Sequence, residues 1–161
     1  MSANGQAVRP RRILTVCKGG HCRAPFAAAV LAHRGGGAVE TRAAAVERWH
    51  VGEGAHPNMI EIADRLGYDL TGHRGVQVGP DLLEWADVVL AMDTTVLESL
   101  RRLADTRNLQ KLRLYLDGRD VPDPWKQAVA AFTACVATIE SGAQAHLPTG
   151  QHHRSRSTSG S

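Results

Sequence analysis

The chain has 161 residues, 43% hydrophobic and 22% charged, with a formal net charge of +3. This length can bury one ordinary hydrophobic core without disulfides, so we predict a single compact domain. The small net charge, without clustered basic residues on one element, excludes a nucleic-acid-binding surface, and the absence of a long apolar run excludes a membrane span. Neither nucleic acid nor membrane is therefore predicted as a partner.

Strand-like and helix-like segments alternate along the sequence. Predicted strands cover residues 13–16, 39–45, 87–92 and 112–116, and predicted helices cover residues 25–34, 57–66, 96–104 and 125–139. After Asp87, the run at 87–92 is continuously apolar, which is typical of a buried parallel strand. This alternation predicts an α/β, doubly wound sheet that binds ligands at the carboxyl ends of its strands.

The loop between the first strand and the first helix carries the most informative pattern. It runs from Cys17 to Arg23, with five residues between them. A loop in this position can direct successive N–H groups at one anion, and the helix N-terminus adds the positive end of its dipole. Gly19 and Gly20 allow close approach of the backbone, and the Arg23 guanidinium matches two phosphate oxygens. The pattern predicts a phosphate-binding loop in which Cys17 loses its proton easily and acts as a nucleophile.

A second candidate site follows the last predicted strand. Asp123 lies between Pro122 and Pro124, which stiffen the loop, and Trp125 offers an aromatic wall. Read alone, this segment is a plain Asp-Pro turn. Together with the cysteine loop, it predicts that Asp123 donates a proton to the leaving group of a phosphate ester.

These segments resemble the low-molecular-weight protein tyrosine phosphatases. Residues 17–25 are similar to that family's phosphate loop and residues 123–125 to its general-acid segment. Residues 49–52, 73–74 and 86–93 fall where the family has similar segments. The resemblance covers residues 12 to about 141 and implies a four-stranded parallel sheet with helices on both faces.

The resemblance also implies the chemistry. A phosphomonoester is hydrolysed through a cysteinyl-phosphate intermediate, with Cys17, Arg23 and Asp123 as catalytic residues and inorganic phosphate as product. No cofactor or metal site is predicted. Substrate-binding residues would be Lys18, Gly19, Gly20, His21, Cys22, Trp49 and Trp125. In the family, the cysteine matched by Cys22 often forms a reversible disulfide with the nucleophile, which is one hypothesis for its role; packing is the other.

Three positions depart from the family pattern. Gly20 replaces the usual asparagine, and Ala24 and Ala43 replace the usual serines. In the family these polar residues form a hydrogen-bonded network with a histidine, matched here by His73. We expect nothing to replace the lost donors.

Three functions therefore stay open. The first is a phosphatase acting on phosphotyrosine proteins, the second a phosphatase acting on a small phosphorylated metabolite, and the third a phosphate-binding module with little turnover. The presence of Asp123 favours an enzyme, because binding alone does not need a proton donor. An arsenate reductase is disfavoured, since it needs a further cysteine pair and only Cys135, predicted to be a core residue, remains downstream.

Basic and histidine side chains are predicted around the rim of the site. They are Lys18, His21, His50 and Lys126. The alternative interpretation of each is a surface or packing residue without a role in substrate binding. A positively charged rim would favour a substrate with a second negative group.

The predicted domain organisation has three parts. Residues 1–10 form a flexible segment, residues 11–143 the catalytic domain and residues 144–161 a disordered tail that contains His152 and His153. This histidine pair lacks further ligands and predicts no metal site. The three cysteines cannot all pair and no signal peptide is visible, so we predict a cytoplasmic protein.

Overall fold

A parallel sheet organises the chain in the computed structural model, which describes residues 9–148. Its strands are β1 (Arg11–Cys17), β2 (Val39–Ala45), β3 (Val88–Ala91) and β4 (Leu112–Leu114). The strand order is β2-β1-β3-β4, and every neighbouring pair is parallel. The chain therefore winds outward in both directions from β1, which confirms the predicted four-stranded, doubly wound sheet.

Six α-helices connect and cover the strands of this described region. They are α1 (Arg23–Gly35), α2 (Pro57–Arg65), α3 (Pro80–Trp85), α4 (Thr94–Leu103), α5 (Thr106–Leu109) and α6 (Val129–Gly142). Short 3-10 helices follow α1 at Gly36–Ala38 and α6 at Ala143–His146. The last helix begins four residues later than predicted, because Lys126 has a φ of 64° and cannot continue a right-handed helix.

Two hydrophobic clusters lie on opposite faces of the sheet. The alternation along β1 separates them, since Ile13 and Cys17 face the cluster under α1, α2 and α6, and Leu14 and Val16 face the cluster under α3 and α4. Residues 13–17 are all buried, as expected for a central strand covered by helices on both faces.

The C-terminal end of the described region packs onto the domain. The predicted tail starts at residue 144, but residues 144–146 belong to the second 3-10 helix, and Leu147, which follows it, is 8% exposed. His146 Nε2 lies 2.6 Å from the carbonyl oxygen of Tyr115. The folded part therefore extends past the predicted boundary, while residues 1–8 and 149–161, with His152 and His153, lie outside the described residues.

The functional segments meet at the carboxyl edge of the sheet. Cys17 ends β1, Asp93 lies two residues after β3, and the segment with Asp123 lies between β4 and α6. The backbone N–H of Val121 donates to the carbonyl oxygen of Met92 (2.8 Å), which ties that segment to the end of β3. No helix within residues 9–148 combines the length and apolar character that crossing a membrane requires.

Candidate active site

The loop from Cys17 to Arg23 is a tight turn over the end of β1. Gly20 has a φ of 68°, and a Cβ added there would lie 2.6 Å from the Cβ of Ala45. In this chain the position therefore favours glycine for both backbone conformation and space. The N–H of Gly20 points at Cys17 Sγ over 3.1 Å.

The thiol of Cys17 lies at the bottom of this loop and is 2% exposed. Burial raises the pKa of Cys17, although the charge of Arg23 and the N–H groups of Ala24 and Gly20 act in the opposite direction. The cation and the two N–H groups favour the thiolate and burial opposes it, so the expectation that Cys17 acts as a thiolate nucleophile stays a prediction.

Arg23 is fixed by acceptors on its inner side. Its Nη1 donates to Asp93 Oδ2 (2.8 Å) and to the carbonyl oxygen of Val121 (2.7 Å), and its Nη2 lies 3.6 Å from Asp123 Oδ2. Burial alone would lower the pKa of Arg23, but Cys17 and the carboxylates raise it, so the side chain stays charged although it is 2% exposed. A fixed, charged guanidinium beside the sulfur is suited to hold a phosphate group.

Asp93 is a site residue that the sequence analysis did not assign. Its Oδ1 accepts from the backbone N–H of Val96 (2.8 Å) and so caps α4, while its Oδ2 binds Arg23. An aspartate directly after a buried strand and before a helical stripe is a typical N-cap pattern, and this pattern could have placed it at the sheet edge.

Asp123 lies on the outer side of the pocket. Its carboxylate is 44% exposed, and its Oδ1 accepts from the N–H of Trp125 (3.0 Å). This bond holds the carboxylate in a turn, and Oδ2 faces Arg23. Lys126, the next residue after Trp125, has a left-handed backbone that favours glycine.

Two side chains support the loop through its backbone. His73 Nε2 lies 3.0 Å from the carbonyl oxygen of Gly20, and the buried Thr15 hydroxyl donates to the carbonyl oxygen of Ala24 (2.8 Å). The Thr15 hydroxyl therefore holds the end of the loop, a contact that the sequence analysis did not predict, while the loss of the family's side-chain donors stays a prediction. Thr15 lies in β1. Because threonine is common in β-strands, its presence in the sequence did not indicate a hydrogen bond to the phosphate loop.

Flat aromatic side chains form one wall of the pocket. The rings of His21 and His50 stack with centroids 3.9 Å apart and planes 9° from parallel. Trp125 meets both edge-on, at 5.5 and 5.2 Å. His56, which the sequence analysis did not assign, packs behind them between Trp125 and Phe132.

The charge of this wall differs from the prediction. Burial, together with the nearby His50 and His56, lowers the pKa of His21 to about 4. His21 is therefore neutral at neutral pH and does not contribute to a positive rim. Of the predicted rim residues, Lys18 and Lys126 carry positive charge. The Nζ of Lys18 lies over the ring of Trp49, 5.4 Å from its centroid.

Most of the predicted site residues line one pocket above the sulfur. Its lining is Cys17, Gly19, His21, Cys22, Arg23, Trp49, His50, Asp123 and Trp125. Gly20, Lys18 and Lys126 do not line this pocket. Cys22 and Cys135 are buried free thiols, and burial raises the pKa of Cys135 to about 12. Cys135 packs in the core of α6, as predicted, and a disulfide between Cys17 and Cys22 stays a prediction.

Comparisons with known proteins agree with this geometry. The family model for low molecular weight phosphotyrosine protein phosphatases matches residues 12–155. A low molecular weight protein-tyrosine-phosphatase of Streptomyces coelicolor is 35% identical over 143 residues, which cover 80% of this chain and 87% of that relative.

Solved structures share the fold. Wzb of Vibrio vulnificus, in complex with benzylphosphonate, superposes with a TM-score of 0.79 at 28% identity and covers 84% of this chain and 95% of its own. YfkJ of Bacillus subtilis superposes with a TM-score of 0.78 at 28% identity and covers 86% of this chain and 92% of its own. The chain therefore belongs to the low molecular weight phosphotyrosine protein phosphatases, a family of cysteine-dependent hydrolases that release inorganic phosphate from phosphorylated substrates.

Proposed function

We propose that this phosphatase acts on phosphotyrosine in proteins, with Cys17 as nucleophile, Arg23 as phosphate ligand and Asp123 as general acid and base. The observation that supports these roles is the convergence of all three side chains on one pocket, where Arg23 Nη2 lies 3.6 Å from Asp123 Oδ2. A phosphate held by the loop N–H groups and Arg23 has its phosphorus next to the sulfur and its leaving oxygen toward Asp123.

The reaction has two steps. The Cys17 thiolate attacks phosphorus and forms an S–P bond, while the bond to the leaving oxygen breaks and Asp123 gives that oxygen its proton. Water then attacks the cysteinyl phosphate, Asp123 takes a proton from it, and the S–P bond breaks to return the thiolate and release phosphate. The N–H groups of Gly20 and Ala24 stabilise the departing thiolate.

The aromatic wall supports an aryl substrate. The stacked imidazoles of His21 and His50, with Trp125 and Trp49, offer flat apolar surfaces next to the phosphate position. A tyrosine ring can stack on such surfaces, whereas a small metabolite gains little there. The neutral state of His21 also removes part of the positive rim that a second negative group would need.

The test separates the nucleophile from the acid. Cys17→Ser should abolish turnover and still bind vanadate or phosphate. Asp123→Asn should slow cleavage of phosphotyrosine, whose phenol has a pKa of about 10, much more than cleavage of an activated aryl phosphate, whose leaving group needs no proton. Asp117→Asn removes an exposed carboxylate from the segment after β4 and is the matched control.

Substrate class is tested by kcat/KM. We expect a higher kcat/KM for phosphotyrosine peptides than for alkyl phosphate esters of metabolites. Trp125→Ala should reduce the ratio of these two kcat/KM values. If Asp123→Asn lowers the activity on phosphotyrosine and on the activated aryl phosphate equally, the acid role is contradicted. A higher kcat/KM for alkyl esters would favour the metabolite phosphatase. Undetectable turnover with retained phosphate binding would favour the binding module.

A further inference from the structure

A buried nitrogen of His21 is left without a partner. His21 Nδ1 is inaccessible to solvent and has no hydrogen-bond partner within residues 9–148. Buried polar atoms are normally paired, so an unpaired one in a pocket wall needs a physical reason. In the proposed function, the backbone of the loop binds phosphate and the face of the His21 ring contacts the substrate. Neither role involves His21 Nδ1.

The side chain of His21 also lies close to two further residues that can bind a metal ion. Ligand atoms of His21, His50 and Glu53 all lie within 4.8 Å of one another. His50 Nδ1 and Glu53 Oε1 are already 2.9 Å apart. Two imidazoles and one carboxylate, with a position left open for water, are a ligand set typical of Zn²⁺.

The backbone that carries these ligands is held in place. The N–H of Gly52 donates to the carbonyl oxygen of Gly75 (2.9 Å), and the N–H of Gly75 donates to the carbonyl oxygen of Glu53 (2.8 Å). The N–H of His56 donates to the carbonyl oxygen of His21 (2.8 Å), which ties the phosphate loop to the same segment. The three ligands therefore sit on two loops that are fixed to each other, so little backbone ordering remains to be done on binding.

We propose that His21, His50 and Glu53 bind a divalent transition-metal ion such as Zn²⁺ at the rim of the active site, and that the bound ion inhibits the phosphatase. The inhibition rests on the proposed function, whereas the binding does not. Glu53 is 59% exposed and supplies negative charge from the solvent side.

Occupancy has a structural consequence that explains the inhibition. Two parallel rings cannot both aim an in-plane lone pair at one ion about 2.0–2.1 Å away. One imidazole must therefore tilt, which opens the stack that forms the pocket wall beside Trp125. The substrate ring then loses its flat surface, and the ion occupies part of the pocket mouth.

The experiment titrates the full chain with Zn²⁺ and measures the ratio of activity with and without the ion on an activated aryl phosphate. Glu53→Gln should raise the inhibitory Zn²⁺ concentration at least about tenfold, since loss of even an indirect partner of a metal ligand costs about 10–100-fold in affinity. Glu98→Gln, an exposed glutamate on α4, is the matched control and should leave the inhibitory concentration unchanged. The double variant His152→Ala/His153→Ala should behave as the unchanged protein.

Binding is measured separately from activity in Cys17→Ser. Co²⁺ should quench the fluorescence of Trp125, whose ring lies within 5.5 Å of both imidazole rings, and no thiolate-to-cobalt charge-transfer band should appear. Quenching in Cys17→Ser that is lost in Cys17→Ser/Glu53→Gln supports the site even if the protein shows no turnover.

Three results would overturn the proposal. One is equal inhibition of Glu53→Gln and Glu98→Gln, which would place the ion elsewhere. Another is loss of Co²⁺ binding in Cys17→Ser, which would show that the nucleophile is the ligand. The third is an absence of quenching at Co²⁺ concentrations well above those that saturate ordinary protein sites.

Discussion

At the scale of single residues, the site depends on how one buried cation is held. The Arg23 side chain is 2% exposed, and an isolated charge in that position would be strongly unfavourable. Asp93, the Val121 carbonyl and Asp123 compensate the charge and also orient the guanidinium toward the sulfur. Because Asp93 touches Arg23 and not the proposed phosphate position, we regard it as a positioning residue.

The first prediction concerns this role. Asp93→Asn keeps an oxygen that can cap α4 but removes the charge that orients Arg23, since asparagine and aspartate are similar N-caps. Hydrogen bonds to charged groups contribute about 1.5–3 kcal/mol, so kcat/KM and the affinity for inorganic phosphate should each fall about tenfold or more. Steady-state kinetics and phosphate inhibition measure both.

The matched control for this prediction is Asp105→Asn. Asp105 caps α5 through the N–H of Asn108 (2.9 Å), and it makes no contact with Arg23. Asp105→Asn should change thermal stability little, because asparagine still caps the helix, and it should leave the phosphate affinity unchanged. If both variants bind phosphate as the unchanged protein does, Asp93 is only a helix cap.

At the scale of elements, the start of α1 is held on the sheet by two threonines. Thr15 on β1 donates to the carbonyl oxygen of Ala24 (2.8 Å), and Thr41 on β2 donates to that of Ala28 (2.9 Å), one helical turn further. Each bond fixes the helix against a strand. Only the first lies at the end of the phosphate loop, where it sets the position of the N–H groups of α1.

The second prediction uses this pair. Thr15→Val and Thr41→Val each remove one hydroxyl with little change in volume, and each should lower the free energy of unfolding by about 1 kcal/mol. Only Thr15→Val should also lower kcat/KM, by up to about fivefold if the whole bond is expressed in the transition state. Denaturant unfolding and steady-state kinetics of the two variants check this, and an equal kinetic effect of both would argue for a purely structural role of Thr15.

At the scale of the whole molecule, several histidines are half-buried, which disfavours their charged form. Burial lowers the pKa of His21, His56, His73 and His146. In the unfolded chain a histidine has a pKa of about 6.5. Below that pH the unfolded state therefore binds more protons than the folded one, and for His21 the difference persists down to its folded-state pKa of about 4. Stability is therefore fully present above pH 6.5 and decreases as the pH falls toward 4.

The third prediction follows from that sign. The melting temperature should fall steadily between pH 6.5 and 4, and His21→Gln should make the fall less steep, because that side chain no longer takes up a proton on unfolding. His33→Gln, at an exposed position on α1, is the control. Melting curves at several pH values measure the slopes, and identical slopes in the His21→Gln variant and the unchanged protein would contradict the prediction.

The sequence by itself determined the fold class and the order of the site segments. The alternation of apolar strands and amphipathic helices is a local property, and it correctly predicts a doubly wound parallel sheet with Cys17 at the carboxyl end of β1. The glycines of the loop, the arginine and the Asp-Pro segment are also local patterns. They were sufficient to predict which residues meet, because the carboxyl ends of parallel strands share one edge.

Only the tertiary structure decided the chemical state and the support of these residues. The raised pKa of Cys17 and the lowered pKa of His21 come from desolvation, which depends on what the rest of the chain packs around them. The bond from Thr15 to Ala24 and that from Asp93 to Arg23 join positions 9 and 70 residues apart. Burial and long-range hydrogen bonds are properties of the packed chain, and for this reason no pattern along the sequence could have supplied them.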